Sequence, residues 1–519
     1  MKSDLRILLV SINNIWRYSN TGVDQIAGYL RENGFLVDIK YFHKKETYED
    51  IIKNIESNYD LIGFSVHSAN YEKCCKISTY LRKVMPTTKI FWGGYFPTMY
   101  YREILNEKRD VDYIILGDGE KPILELLNAL KEKKNNFLHS SIVTYSNNKN
   151  KKIFCNDVIC HMPAFDYYEK DTEKRNKRKI YCIQTKNNVC TGKCSFCTER
   201  KGTVKHKNID LIISEIKYVV ENFGINQIFF TDDNIMDPND EITKKFIKDL
   251  CIEIKKLDFN ISIECYIKAI SFRDCKEDNE LLELMSQVGF ATMFIGIESG
   301  NSKDLLLYNK LTTVDENKTI VNLLRKHNIV PIIGFINFNP YSSLETLKEN
   351  FLFLLSIESA NLFQYAGTIL SIQRYTAMYS YVKRDGLLNE NYSYMKTMEY
   401  EFKDTKAKKI IEFVLNELRP RILNLDMEVD TLFQTYAQCK RISSEAIKYK
   451  EELITIKYKH LNKIKEYFTW LYLDKDIEKC KNEADNFLNF FEKEQEIMMG
   501  IYWGLVAIMM KTPPLNRMK

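Results

Sequence analysis

Apolar and polar residues alternate along this chain in two long series, each built from short apolar runs separated by amphipathic stretches. In the first series Leu5–Ile12, Leu36–Phe42, Leu61–Val66, Lys89–Trp92 and Tyr113–Leu116 read as strands. Between them, Gly22–Asn33 and Asn70–Val84 carry apolar residues at the three-to-four spacing of helices. This alternation predicts a parallel α/β sheet over residues 1–135. Two of its strands end in glycine turns, Gly93-Gly94 and Gly117-Asp118-Gly119, at the carboxyl edge where such sheets bind ligands. The span 136–179 is charged and weakly periodic, with a hairpin tip expected at Asn147–Lys152 and a solvated connector at Glu173–Lys179. It reads as a linker.

The second series covers 180–390. Strands are expected at Ile180–Gln184, Gln227–Thr231, Ile261–Ile267, Thr292–Ile297, Val330–Asn337 and Leu362–Leu370. Helices are expected at Asp210–Asn222, Glu241–Lys256, Asn279–Val288, Val314–His327 and Ser343–Ile357. Six strands with helices between them predict a partial (β/α)6 barrel, whose chemistry sits at the carboxyl ends of the strands. From 391 to 519 the pattern is helical, with candidates at Asp404–Leu418, Ser443–Thr455, Lys463–Leu473 and Phe487–Met510. Cys439, His460 and Cys480 are isolated there and read as structural.

Composition narrows the function classes. The 75 basic and 70 acidic residues nearly balance, so charge gives no argument for a nucleic-acid or membrane partner. The longest uncharged apolar run, Ile497–Met510, is shorter than the roughly 20 residues a bilayer span needs, and reads as a core helix. No export signal precedes Leu5, and the thirteen cysteines are scattered, so a reducing cytoplasm is expected rather than a disulfide framework.

Three cysteines stand apart from that scatter. Cys190, Cys194 and Cys197 follow the first strand of the second series as C-x3-C-x2-C, with Phe196 before the last. Three thiolates can hold three irons of a 4Fe–4S cluster, and no fourth cysteine follows at ferredoxin-like spacing, which leaves one iron open to bind a substrate or cofactor. A zinc site would need a fourth Cys or His nearby, and His206 is nine residues on. A redox dithiol, Cys194 with Cys197, leaves Cys190 idle.

The motif and its strand context resemble the radical S-adenosylmethionine (radical SAM) superfamily. That resemblance implies that SAM chelates the open iron and that one electron from the cluster releases a 5′-deoxyadenosyl radical, which takes hydrogen from an unactivated carbon. It also implies an external electron donor of flavodoxin or ferredoxin type. Phe196 matches the aromatic near adenine in that family. Asp232 and Asp233, in Phe229-Phe-Thr-Asp-Asp-Asn234, and Glu298 and Ser299, in Phe294-Ile-Gly-Ile-Glu-Ser-Gly300, match polar groups around SAM. The alternative for each is a helix N-cap at a strand–helix junction, which for Asp233 and Ser299 weighs about as much as the SAM role. Lys268 stands where relatives often carry arginine, and suits the SAM carboxylate as a point charge. The fifth-strand turn at Gly334–Thr346 departs from the family pattern and receives no role.

The first series is similar to the cobalamin-binding domain attached to many radical SAM enzymes. Ser65, Gly93, Gly94 and Gly117 occupy the places of its small-residue motifs, where a corrin or its nucleotide tail comes close. The loop Asn13–Gly22 lacks the histidine that ligates cobalt in D-x-H-x-x-G domains, which fits either a weakly ligated cobalt or a domain that has lost cobalamin. His67 reads as a packed or hydrogen-bonded residue. The expected fold is therefore α/β: a Rossmann-like cobalamin-binding-type domain, a radical SAM barrel and a helical C-terminal domain. The expected function is a methyltransferase acting on a peptide or small specialised metabolite. The alternatives are ring formation, rearrangement or epimerisation, with or without cobalamin, and an electron-transfer protein with a fully ligated cluster. Tyr375, Tyr379, Tyr381, Tyr392 and Tyr394 line a substrate pocket or form a packing seam.

Overall fold

The computed structural model describes residues 5–13, 18–55, 58–107, 110–133, 139–147, 161–169, 179–187, 189–198, 203–237, 241–389 and 399–511. The chain divides into two compact units, the first formed mainly by Met1–Val189 and Val204–Ile225, the second by Cys190–Thr203, Asn226–Ser393 and Thr397–Lys519.

The first unit is a six-stranded sheet: β1 (Arg6–Asn13), β2 (Leu36–His43), β3 (Leu61–Ser65), β4 (Lys89–Gly93), β5 (Tyr113–Ile115) and β6 (Ile142–Val143). The order is β2-β1-β3-β4-β5-β6, parallel except for β6. Strands covered on both faces read as continuous apolar runs, and Ile7 to Val10 are accordingly all buried. The helix Thr21–Glu32 starts where the Asn20 side chain accepts from Val23 N at 3.2 Å. Its Val23, Ala27 and Leu30 enter one core with Ile7, Leu9, Ile123 and Leu127. Strand order reverses between β1 and β3, which opens a crevice at their carboxyl ends.

Part of the span expected as a linker is built into this unit. β6 pairs with β5. Ala164 N donates to Asp24 O at 2.9 Å, and Arg31 grips Asp166 through both guanidinium nitrogens, at 2.6 and 2.9 Å. The strand β7 (Tyr181–Ile183) and the helix Ile209–Phe223, expected to begin the barrel, also group with the first unit.

In the second unit β8 (Gln227–Phe230), β9 (Ser262–Lys268), β10 (Phe290–Glu298) and β11 (Val330–Phe335) run parallel in that order, each followed by a helix on the outer face. The expected sixth strand is different. Leu362–Ala366 is a short helix, and only Ile369 bridges to Phe338. The Asn361 side chain caps it, accepting from Phe363 N at 3.0 Å. A short apolar run suits either state, and this cap decides it.

The C-terminal region is helical but divided differently from expectation. A helix at Val429–Ile442, outside every predicted candidate, packs against Ile477–Lys511 in a core containing Leu432, Tyr436, Met498, Ile501 and Leu505. Arg441 donates to Ser286 Oγ (2.9 Å), Phe290 O (3.1 Å) and Asn328 O (3.1 Å). Those groups border the amino-terminal ends of β10 and β11. This helix therefore closes the edge of the sheet opposite to the carboxyl ends.

Candidate functional site

The period of two along β9 and β10 creates an open face in the second unit. Glu264, Tyr266 and Lys268 on β9, and Phe294, Gly296 and Glu298 on β10, are partly exposed, while Cys265, Ile267, Ile295 and Ile297 between them are buried under the helices. Register sets these residues in layers. At the bottom, Glu264 accepts from Gln434 (2.8 Å) and Gln438 (3.2 Å) of the helix Val429–Ile442. Above it, the rings of Phe229, Tyr266 and Phe294 meet edge to face, with centroids 5.2 Å apart at each step. At the top, Lys268 lies opposite Gly296.

The cysteine loop stands at this top. Its two ends are hydrogen-bonded to each other, Asn187 N to Lys205 O at 3.0 Å and Lys207 N to Thr185 O at 2.8 Å, and His206 bridges Lys186 in that neck rather than joining the thiols. The loop itself is fixed by the segment after β10. Ser195 N donates to Tyr308 O (2.8 Å), Ser195 Oγ to Leu307 O (2.7 Å) and Asn309 Nδ2 to Lys193 O (2.7 Å). Phe196 meets the buried Tyr308 ring edge to face at 5.5 Å.

Gly192 lies beside two of the thiols, and its missing side chain leaves space between them and Lys268. A Cβ there would lie 3.3 Å from Cys190 Sγ, 3.9 Å from Cys194 Sγ and 3.8 Å from Lys268 Cε. Among the described residues no three His, Cys, Asp or Glu side chains gather tightly enough to hold a single metal ion. A soft thiolate set around a bare glycine fits a cluster, in which each thiolate takes its own iron.

Lys268 is anchored beside this space. Its Nζ donates to Asp237 Oδ2 at 3.1 Å and to Thr191 Oγ1, and Thr191 in turn donates to Asp237. Thr191 lies between two of the cysteines, so one carboxylate joins the lysine to the cysteine loop. Asn234 fixes the lysine from below, its Oδ1 accepting from Lys268 N at 3.2 Å. The Asn234 amide nitrogen is buried with no hydrogen-bond partner, a donor available to a bound molecule.

Glu298 faces the same opening in an uncommon conformation. Its φ is +66°, in a region that side-chain-bearing residues avoid and that clusters at functional sites. Its carboxylate lies 3.5 Å from Lys310 Nζ. Gly296 makes room for the pair, since a Cβ there would come within 2.7 Å of Glu298 Oε1 and 3.2 Å of Lys310 Nζ. Burial raises the Glu298 pKa despite the nearby cation.

The remaining predicted residues separate. Asp232 is buried just beyond β8, whereas Asp233 is exposed. Ser299 is fully buried, and its hydroxyl bonds with Asp304 (3.2 Å), Asn350 (2.9 Å) and Asn301 (3.0 Å). It braces the turn below Glu298 rather than facing the opening. Asp237, Thr191, Lys310, Gln434 and Gln438 escaped sequence reasoning. Tyr379 packs in a seam with Leu370 and Met378, while Tyr375 and Tyr381 are exposed. Tyr392 and Tyr394 lie outside the described residues, as do Cys155 and Cys160, the closest-spaced non-adjacent cysteines outside the three-cysteine motif, and positions 14–17 of the first loop.

A second candidate site lies in the first unit, at the carboxyl ends of β3, β4 and β5. Ser65 Oγ accepts from Asn20 Nδ2 at 2.9 Å, which bridges the switch point between β1 and β3. Gly94 has φ +101°, and a Cβ there would press to 3.1 Å on Val66 O. Thr98 Oγ1 donates to Gly94 O (2.7 Å) and accepts from Gly117 N (3.2 Å), tying two turns together. Gly93 differs. A Cβ there would meet only Ile115 Cβ, at 3.9 Å, so the protein's own packing does not require a glycine. The bare position keeps the edge open, which fits a large planar ligand. His67 is engaged in its own turn, with Nε2 3.2 Å from Asn70 Nδ2, and burial lowers its pKa.

Two family models match this chain. Residues 6–127 match the B12 binding domain and residues 186–354 match the radical SAM superfamily. The chain is 24% identical over 290 residues to an anaerobic magnesium-protoporphyrin IX monomethyl ester cyclase of Synechocystis, covering 53% of this chain and 55% of that protein. It thus spans about half the length of that relative. The cobalamin-dependent SAM radical enzyme OxsB, with aqua-cobalamin and SAM bound, has the same fold, with a TM-score of 0.72 at 18% identity over 98% of this chain and 80% of that one. The radical SAM methyltransferase TsrM from Kitasatospora setae aligns with a TM-score of 0.59 at 16% identity, over 75% and 79% of the two chains. No helix among the described residues is long and apolar enough to cross a membrane.

Proposed function

Since the chain is a radical SAM enzyme that carries a B12-binding domain, we propose that it is a cobalamin-dependent methyltransferase acting on an unactivated carbon of a peptide or small specialised metabolite. When bound, the 4Fe–4S cluster with SAM supplies a hydrogen-abstracting radical, and cobalamin supplies a transferable methyl group. The protein's own residues bind, orient and exclude water. Cys190, Cys194 and Cys197 would hold the cluster, and Lys268, steadied by Asp237, would pair with the SAM carboxylate. Glu298, kept in place by Lys310 and Gly296, would serve the ribose, Phe196 the adenine, and Asp232 and Asp233 would offer carboxylates to the amine. Ser65, Gly93, Gly94 and Gly117 line the corrin side. The aromatic layer of Phe229, Tyr266 and Phe294 gives the opening an apolar floor above the Glu264 layer.

Two observations carry the methyl-transfer reading: Gly93 is bare although the packing around it does not require a glycine, and His67 is engaged with Asn70. Both support a corrin held without an imidazole from that turn, which favours reduced cobalt and methyl transfer. The similarity to a cyclase favours a second reading, a ring-forming reaction from the same radical start. The deciding experiment loads the reconstituted protein with hydroxocobalamin and methyl-deuterated SAM in the presence of a low-potential reductant, which supplies the two electrons that take the cobalt to cob(I) and the electron that reduces the cluster. Deuterium on the protein-bound corrin supports methyl transfer. Failure to bind corrin, or SAM cleavage with no labelled corrin, overturns it in favour of the second reading.

A further inference from the structure

We propose that the turn Leu306–Leu311, with Lys193, Lys303 and the helix Ala377–Arg384, is the docking face for a small acidic protein that delivers single electrons to the cluster. The inference rests on the radical SAM reading above. Its starting point is a pair of leucines that the fold does not use: Leu306 is 82% exposed and Leu311 is 71% exposed. Lys310 N donates to Leu305 O at 2.9 Å, which folds the segment between them into one tight turn. Exposed apolar side chains at the two ends of a hydrogen-bonded turn mark a contact surface.

The position selects the partner. The same turn supplies Leu307 O, Tyr308 O and Asn309 Nδ2, which hold Ser195 and Lys193. Those residues flank Cys194, so a protein seated on the turn stands one residue from a cluster thiolate. A surface cleft of about 480 Å³ lies there, lined by Lys193, Ser195, Lys303, Leu306, Asn309 and Tyr381. Charge selects its chemistry. Lys193 and Lys303 line the cleft, and Lys383 and Arg384 lie on the helix that gives it Tyr381, with Arg384 over the Tyr381 ring; Glu345 pairs with Lys303 and Asp385 with Arg384. A cationic rim around an apolar centre matches an acidic partner and steers its approach. Encounters between redox proteins bury little surface, often below about 1,200 Å², so the docking face of such a carrier need not be large. The step is a one-electron transfer: the carrier is oxidised by one electron, the cluster is reduced by one, and no bond is made.

The test uses the full chain with its cluster reconstituted, and two reductants: dithionite, and an acidic flavodoxin in its hydroquinone form freed of dithionite. Formation of 5′-deoxyadenosine is measured for the wild type and for the paired substitutions Leu306→Glu with Lys303→Glu and Leu311→Glu with Lys383→Glu. The expected result is at least a tenfold loss of the flavodoxin-driven rate, an unchanged dithionite-driven rate, and flavodoxin binding that weakens in the variants and with added salt. Unchanged flavodoxin binding and rate would overturn the proposal, and so would an equal loss with dithionite, which assigns the patch to folding. Absence of SAM cleavage by the wild type with dithionite instead removes the radical SAM reading itself.

Discussion

Lys268 Nζ lies 3.1 Å from Asp237 Oδ2, and that single carboxylate also receives the hydroxyl of Thr191 between two cluster cysteines. The lysine is thereby held at the cysteine loop before any ligand arrives. A preorganised charge loses less on binding than one that must be ordered. Lys268→Met removes a charge-assisted contact worth about 1.5–3 kcal/mol, so SAM affinity should fall roughly 10- to 100-fold. Asp237→Asn should give a smaller loss, because the lysine remains but swings. Iron and sulfide content should match the wild type in both. EPR of the reduced cluster with and without SAM checks this, and a lost cluster in Lys268→Met would show instead that the lysine builds the loop.

Gly93 predicts a separation between the two sites. Its Cβ position is open, with Ile115 Cβ at 3.9 Å as the nearest atom, so Gly93→Leu can be accommodated by the sheet edge. The side chain would then occupy the crevice at the switch point, where a ligand sits in this architecture. The expected outcome is loss of corrin binding, seen in the visible spectrum after hydroxocobalamin loading, with the cluster spectrum and the melting temperature preserved. Full corrin occupancy in this variant would move the corrin away from the β4 turn.

Legibility followed locality. The three cysteines and the strand–helix alternation depend on short-range spacing, so the sequence displays them directly. Leu362–Leu370 misled because its apolar run fits a strand as well as a helix, and only the Asn361 cap distinguishes them. The helix Val429–Ile442 was invisible because Gln434 and Gln438, polar on what is a buried face, interrupt its apolar stripe, and their partner Glu264 lies about 170 residues away. Asp237 was missed for a related reason. Sequence reasoning favours carboxylates next to a strand end, such as Asp232 and Asp233, whereas the contact to Thr191 exists only once the loop after β8 folds back.

Asp24 gives the first unit a pH dependence. It is 3% exposed, accepts from Tyr41 OH and sits beside the Arg31–Asp166 pair, and burial raises its pKa to about 7. A carboxyl whose folded pKa exceeds its unfolded value binds more protons when folded. Its stabilising contribution is therefore complete below about pH 4, declines as pH rises towards 7, and is absent above that. The decline amounts to at most roughly 4 kcal/mol. Thermal denaturation from pH 4 to 8 should show the wild type losing stability relative to Asp24→Asn across that window. Parallel curves would mean that Asp24 titrates as it does in the unfolded chain.

Arg441 closes the other end of the molecule's chemistry. Its guanidinium joins the helix Val429–Ile442 to Ser286, Phe290 and Asn328 at the amino-terminal edge of the sheet. Two of its acceptors are backbone carbonyls, and hydrogen bonds from a charged donor are worth about 1.5–3 kcal/mol when left without a substitute. Arg441→Met keeps much of the aliphatic stem and removes the donors, so it should cost about 2–3 kcal/mol in stability. Hydrogen exchange should rise in Val429–Ile442 and in the amino-terminal residues of β10 and β11. The carboxyl-terminal residues Lys268 and Glu298 lie at the far end of the strands, so SAM binding at low temperature should be preserved. If SAM binding were lost while exchange stayed unchanged, the helix would be acting on the chemistry and not as a seal.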